Sequence, residues 1–78
     1  MTTNAQALQA LTIARKHANN GAFHEASAQS CISDAQNCLL AGRPDSAIMW
    51  AAKSLGYSVG VFSSDYQRVQ TMLARDLP

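Results

Sequence analysis

Apolar residues recur along this chain at intervals of three and four, the spacing that lines one face of an α-helix. Leu8, Leu11, Ala14 and Ala18 make the first stripe. Thr3 and Gln6, three residues apart, form a capping box, and Asn20-Gly21 break the pattern. A helix is predicted over about Asn4 to Asn19. A second stripe of Ala28, Cys31, Ile32, Ala35, Cys38 and Leu39 runs to Gly42, which is placed to end a helix over about His24 to Ala41. Pro44 fits the first turn of a third helix, where its missing N–H costs nothing. That helix carries Ala47, Ile48, Trp50, Ala51, Leu55 and Val59 on more than one face, which makes it the central one. Ser64 and Gln67 form a second capping box, opening a fourth helix with Tyr66, Val69, Met72 and Leu73 in one stripe and an end near Pro78.

Short connections force successive helices antiparallel. The predicted fold is therefore all-α, one domain spanning residues 1–78, built either as an up-and-down four-helix arrangement or as two stacked antiparallel helical hairpins. Fourteen alanines against five aromatic residues imply a thin core of small side chains. Charged residues are 14% of the chain and the formal net charge is +1, against about 25% charged residues in an average soluble domain. Such a surface resists association poorly, so a protein partner or a homodimer is expected to cover part of it. The six cations are scattered and offset by five acids, which gives no basic stripe for nucleic acid. Met1 to Gln9 lacks the basic and apolar regions of a signal peptide. The most apolar run, Ala47 to Phe62, is interrupted by Lys53 and is shorter than the ~20 residues a bilayer needs. A cytoplasmic location without membrane contact is expected.

Two turns share a pattern, with Gly21 preceding Ala26 as Gly42 precedes Ala47. The segment from Cys38 to Ile48, with Gly42 after one helix and the small Ala47 in the next, resembles the turn inside a tetratricopeptide repeat. The family's Trp, Leu and Gly of the first helix and its closing Pro are absent at the corresponding places. The resemblance extends over roughly half the chain and implies a scaffold of helical hairpins that binds peptides or proteins.

Apparent chemical motifs do not survive their context. Gly56-Tyr57-Ser58-Val59-Gly60 matches the serine-hydrolase pattern G-x-S-x-G, but no strand precedes it and no sheet fits the chain. Ala52, Gly56 and Gly60 instead fall four apart, a face that lets a neighbouring backbone approach closely, unless one of the two glycines ends the third helix. His17, His24, Cys31 and Cys38 recur every seven residues, about 10.5 Å along a helix, too far to gather on one zinc ion or to join the two cysteines. No catalytic residue, metal, cofactor or small-molecule substrate is inferred, and both cysteines are read as reduced thiols.

Trp50, Tyr57 and Val61 form a stripe beside the core positions of the third helix, with Ser54 in its middle. A thin domain can hardly bury both stripes, so Trp50, Tyr57 and Val61, with Arg43 near the preceding turn, are the candidate contact surface. If Ser54 is buried, its hydroxyl needs a hydrogen-bond partner, which the backbone carbonyl four residues earlier can offer. The sequence thus points to a non-enzymatic interaction module: an adaptor, chaperone-like subunit or inhibitor. The alternative is a small transcriptional regulator with a helix-turn-helix over Asp34 to Leu55, turning at Gly42 and gathering Arg43, Lys53 and Arg15-Lys16 in a dimer.

Overall fold

The computed structural model describes residues 3–18 and 24–75. Among them are four helices and no strand: α1 (Asn4–Ala18), α2 (Glu25–Leu40), α3 (Pro44–Ser58) and α4 (Ser64–Arg75). The turn at Gly21 and the side chain of Leu73 lie outside the described residues.

Local chemistry sets most of the helix ends. At the start of α1 the backbone N–H of Gln6 donates to Thr3 Oγ1 (3.2 Å) while the N–H of Thr3 donates to Gln6 Oε1 (2.9 Å), the reciprocal box the spacing predicts. α2 stops at Gly42, whose φ is +77°. The N–H of Gly42 reaches the Leu39 carbonyl (3.1 Å) and that of Arg43 reaches Cys38 (2.8 Å), a Schellman closure. Pro44 then opens α3 directly. The start of α4 differs by one residue from the sequence reading: Ser63, not Ser64, is the cap, its Oγ accepting from the N–H of Tyr66 at 3.1 Å. Gln67 makes no box there, and its side-chain amide instead donates to the Val61 carbonyl at 2.8 Å.

The helices alternate in direction. His24, preceding α2, lies against Tyr57 at the end of α3, ring centroids 5.7 Å apart. His17 in the last turn of α1 meets Asp65 in the first turn of α4, Nε2 to Oδ2 2.6 Å. α3 is the hub, packing on α2 and α1 extensively and on α4 less so, while α4 barely touches α1.

The core joins Ala7, Ala10, Leu11, Ala14 and Ala18 of α1, Ile32 and Ala35 of α2, Ala47, Ile48, Ala51, Ala52 and Leu55 of α3, and Val69 of α4. Leu8, expected in the first stripe, is exposed; Ala7 and Ala10 take the inward positions. With Leu11, they make an inward face of mostly small side chains; enlarging Ala7 or Ala10 would overpack it. The Cα trace is 14 Å across its thinnest direction. That equals one interhelical spacing of roughly 8–10 Å plus the ~4.6 Å Cα diameter of a helix, so the domain is two helices deep.

Ser54 is fully buried, and its hydroxyl bonds across to α2, donating to the Ala28 carbonyl at 2.8 Å. The buried hydroxyl thus has the partner it needs, on α2 and not in its own helix; the intrahelical bond occurs one turn later, from Ser58 Oγ to the Ser54 carbonyl at 3.0 Å. The Ser54 bond is directional, so it fixes the axial register of α2 against α3 at a site where apolar packing alone would allow sliding.

Candidate docking surface

The few charges go mainly to helix ends. Glu25, Asp45 and Asp65 stand in the first turns of α2, α3 and α4, and Arg15, Lys16 and His17 in the last turn of α1. These positions complement the helix dipoles. They leave long stretches of helix face without charge.

On α3 the inward arc holds Ala47, Ile48, Ala51, Ala52, Ser54, Leu55 and Ser58. One stripe remains outside: Asp45, Met49, Lys53 and Tyr57, four residues apart. Met49 is 46% exposed and Tyr57 43%. Past the end of the helix, Val61 is 47% exposed and Phe62 96%. The outer stripe thus runs from Met49 into an apolar elbow between α3 and α4, where Lys53, Gly56, Tyr57, Val61 and Tyr66 line a shallow depression. A phenylalanine that leaves almost its whole ring in water gives up roughly 1.5–3 kcal/mol of transfer free energy available to it on burial.

The sequence-selected residues separate into three groups. Tyr57 and Val61 share the elbow depression. Trp50 sits at the core edge, half-buried against it, and its ring is covered by the Lys53 ammonium 4.8 Å from the centroid. Arg43 is exposed in the α2–α3 turn, fourteen residues before Tyr57 and so about 21 Å away along α3. Met49 and Phe62 belong to the surface and are not among the residues the sequence pattern selects for it. The four-residue beat from Asp45 to Tyr57 is the signal that could have found Met49.

The proposed close-packing face divides too. Ala52 is buried, and Gly56 lies inside α3 where a Cβ would stand 3.5 Å from the Tyr66 ring. Gly60 is not a packing contact: its φ is +88°, its N–H closes the helix on the Leu55 carbonyl at 3.1 Å, and a Cβ there would meet nothing within 4 Å. It ends the helix because only glycine takes that backbone conformation without strain.

Neither cysteine adds chemistry to this surface. Cys31 is buried in α2 and Cys38 partly so. Burial pushes the Cys31 thiol above its ordinary pKa, helped by the Asp34 carboxylate and opposed by Lys53. It is therefore a poor nucleophile near neutral pH. No described helix is long and apolar enough to cross a membrane. No protein-family model, curated protein or solved structure matches the chain.

Proposed function

We propose that this domain is a non-enzymatic protein-interaction module, an adaptor, chaperone-like subunit or inhibitor, that docks the apolar outer face of α3 and the α3–α4 elbow onto a protein surface, with a cytoplasmic setting in which both cysteines stay reduced. The observation that carries this reading is Phe62, 96% exposed and next in the chain to Val61, which shares the elbow depression with the exposed Tyr57. Exposed aromatic and methionine side chains in a weakly charged setting are the residue types enriched in buried interface cores. The turn at Gly42, which resembles a tetratricopeptide hairpin, suits a scaffold of this kind.

The test is a variant carrying Tyr57→Ser and Phe62→Ser, compared with wild type in sedimentation equilibrium and in capture of proteins from the parent cell. Both positions lie outside the core, so circular dichroism should be unchanged while association falls at least about tenfold. Association that is indifferent to both substitutions would remove the surface. The regulator reading is checked by duplex DNA binding across a salt series, where phosphate contacts must produce a steep slope. The outward stripe of α3 offers such a duplex one cation, Lys53, and one carboxylate, Asp45.

A further inference from the structure

The outer stripe of α3 has a symmetry of its own. α3 carries two charged residues, Asp45 and Lys53, and they stand four positions on either side of Met49. All three are exposed and fall on one face. Along the axis each charge is about 6 Å from Met49. The face therefore reads acid, thioether, base at even spacing, and the order reverses when the helix is turned end for end.

We infer that a second copy of this chain docks on this face, with the two α3 helices antiparallel about a twofold axis through Met49. The occupant is chosen by charge complementarity. In that arrangement Asp45 of each copy stands level with Lys53 of the other, two opposite-charge pairs flank a Met49–Met49 centre, and residue i contacts j as j contacts i, as an isologous interface requires. A parallel arrangement would set Asp45 on Asp45 and Lys53 on Lys53, which like-charge repulsion disfavours. The Lys53 ammonium lies over the Trp50 ring, 4.8 Å from its centroid, and in the pairing it turns outward from the ring to the second copy's Asp45. Methionine at the axis suits a self-contact, because its unbranched chain adapts to its own image.

This pairing rests on the docking reading above, of which it names the partner, and charge reversal tests it separately. Asp45→Lys makes the face wholly basic and Lys53→Asp makes it wholly acidic. Each variant alone should dimerise at least about tenfold more weakly than wild type in low-salt sedimentation equilibrium, since both pairs become repulsive. Mixed in equal amounts, the two variants should recover a heterodimer of near wild-type affinity, because every acid again faces a base. The double variant D45K/K53D should likewise recover a homodimer. Recovery in the mixture shows that these faces pair by charge, since a wholly basic face complements a wholly acidic one in either direction. The homodimer of the double variant sets the direction, because only antiparallel helices then place each acid on a base.

A wild-type chain that stays monomeric at several hundred micromolar overturns the pairing, and so does a mixture that fails to recover. If Asp45→Lys does not fold, having lost the acid in the first turn of α3, Met49→Lys carries the test: it sets two cations face to face on the axis, and a dimer that persists overturns the pairing. A dimer abolished by Tyr57→Ser and Phe62→Ser yet indifferent to charge reversal overturns the α3 pairing and leaves the docking reading standing. Loss of neither dimer nor protein capture in the Tyr57 and Phe62 variant overturns the docking reading itself.

Discussion

The junctions at the two ends of α3 use the same device and reach different results. Gly42 and Gly60 both take a left-handed backbone conformation, with φ of +77° and +88°, and a Cβ at either would find open space. After Gly42 the chain enters α3 within two residues, and α2 and α3 then stay packed as far as the opposite end of the pair, where Ser54 bonds Ala28 and His24 lies beside Tyr57. After Gly60 come Val61, Phe62 and Ser63, and α4 contributes to the core through Val69, with Tyr66 and Met72 packed against it. A glycine stop decides where a helix ends. How far the next helix packs back is decided by what the facing surfaces offer, and the Ala-rich side of α3 is already taken by α1 and α2.

That contrast can be broken first at the core. Ile48 and Val69 are both fully buried. Ile48→Ala, in the hub, should cost about 2–5 kcal/mol in denaturant unfolding and lower the signal of all four helices together. Val69→Ala in α4 removes fewer atoms and should cost less, with hydrogen exchange in α4 rising more than in α2. Equal exchange throughout would show α4 to be as firmly held as the rest.

A smaller effect separates turn from packing. Gly42→Ala and Gly60→Ala should each cost about 1–2 kcal/mol, and by similar amounts, because the strain is conformational and no neighbour is struck at either site. Asn at either position should recover part of the loss. A much cheaper change at Gly60 would mean that α4 yields to relieve it.

Ser54→Ala should cost about 1 kcal/mol by thermal or chemical melting, since the Ala28 carbonyl keeps its helical bond when the hydroxyl is removed. Smallest, and opposite in sign, is Gly56→Ala. A Cβ there sits at ordinary contact distance, 3.5 Å from the Tyr66 ring, so the gain in helix propensity of roughly 0.5–1 kcal/mol should appear as stabilisation. A loss instead would show that Tyr66 cannot give at all.

The fold was legible where local chemistry decides it. Thr3 with Gln6, Gly42 followed by Pro44, and the apolar spacing of α2 each act within a few residues of themselves. The readings that moved were those settled by partners distant in sequence. Ser63 and Ser64 are equivalent as a string, and the cap fell to Ser63, with Tyr66 facing Gly56. Leu8 and Ala7 both fit a helical period, and packing against the other helices buries the alanine and leaves the leucine exposed. Ser54 could have bonded its own helix, and it crosses to α2 because that carbonyl is within reach. For the surface, Tyr57 and Val61 were found as a stripe. Met49 and Phe62 were missed because nothing in a residue's apolarity says whether the core has room for it, and a domain two helices deep does not.

That shallow depth, 14 Å in Cα extent, also sets how the molecule responds to heat. The increment in heat capacity on unfolding scales with the apolar area exposed. A single layer of mostly alanine side chains exposes little, so the stability curve should be low and flat, with a broad calorimetric transition. Anything bound to the folded form alone raises the midpoint through mass action. For a chain that pairs with itself, the transition temperature becomes a function of concentration, and a dilution series in the calorimeter should show it climbing as the protein is made more concentrated.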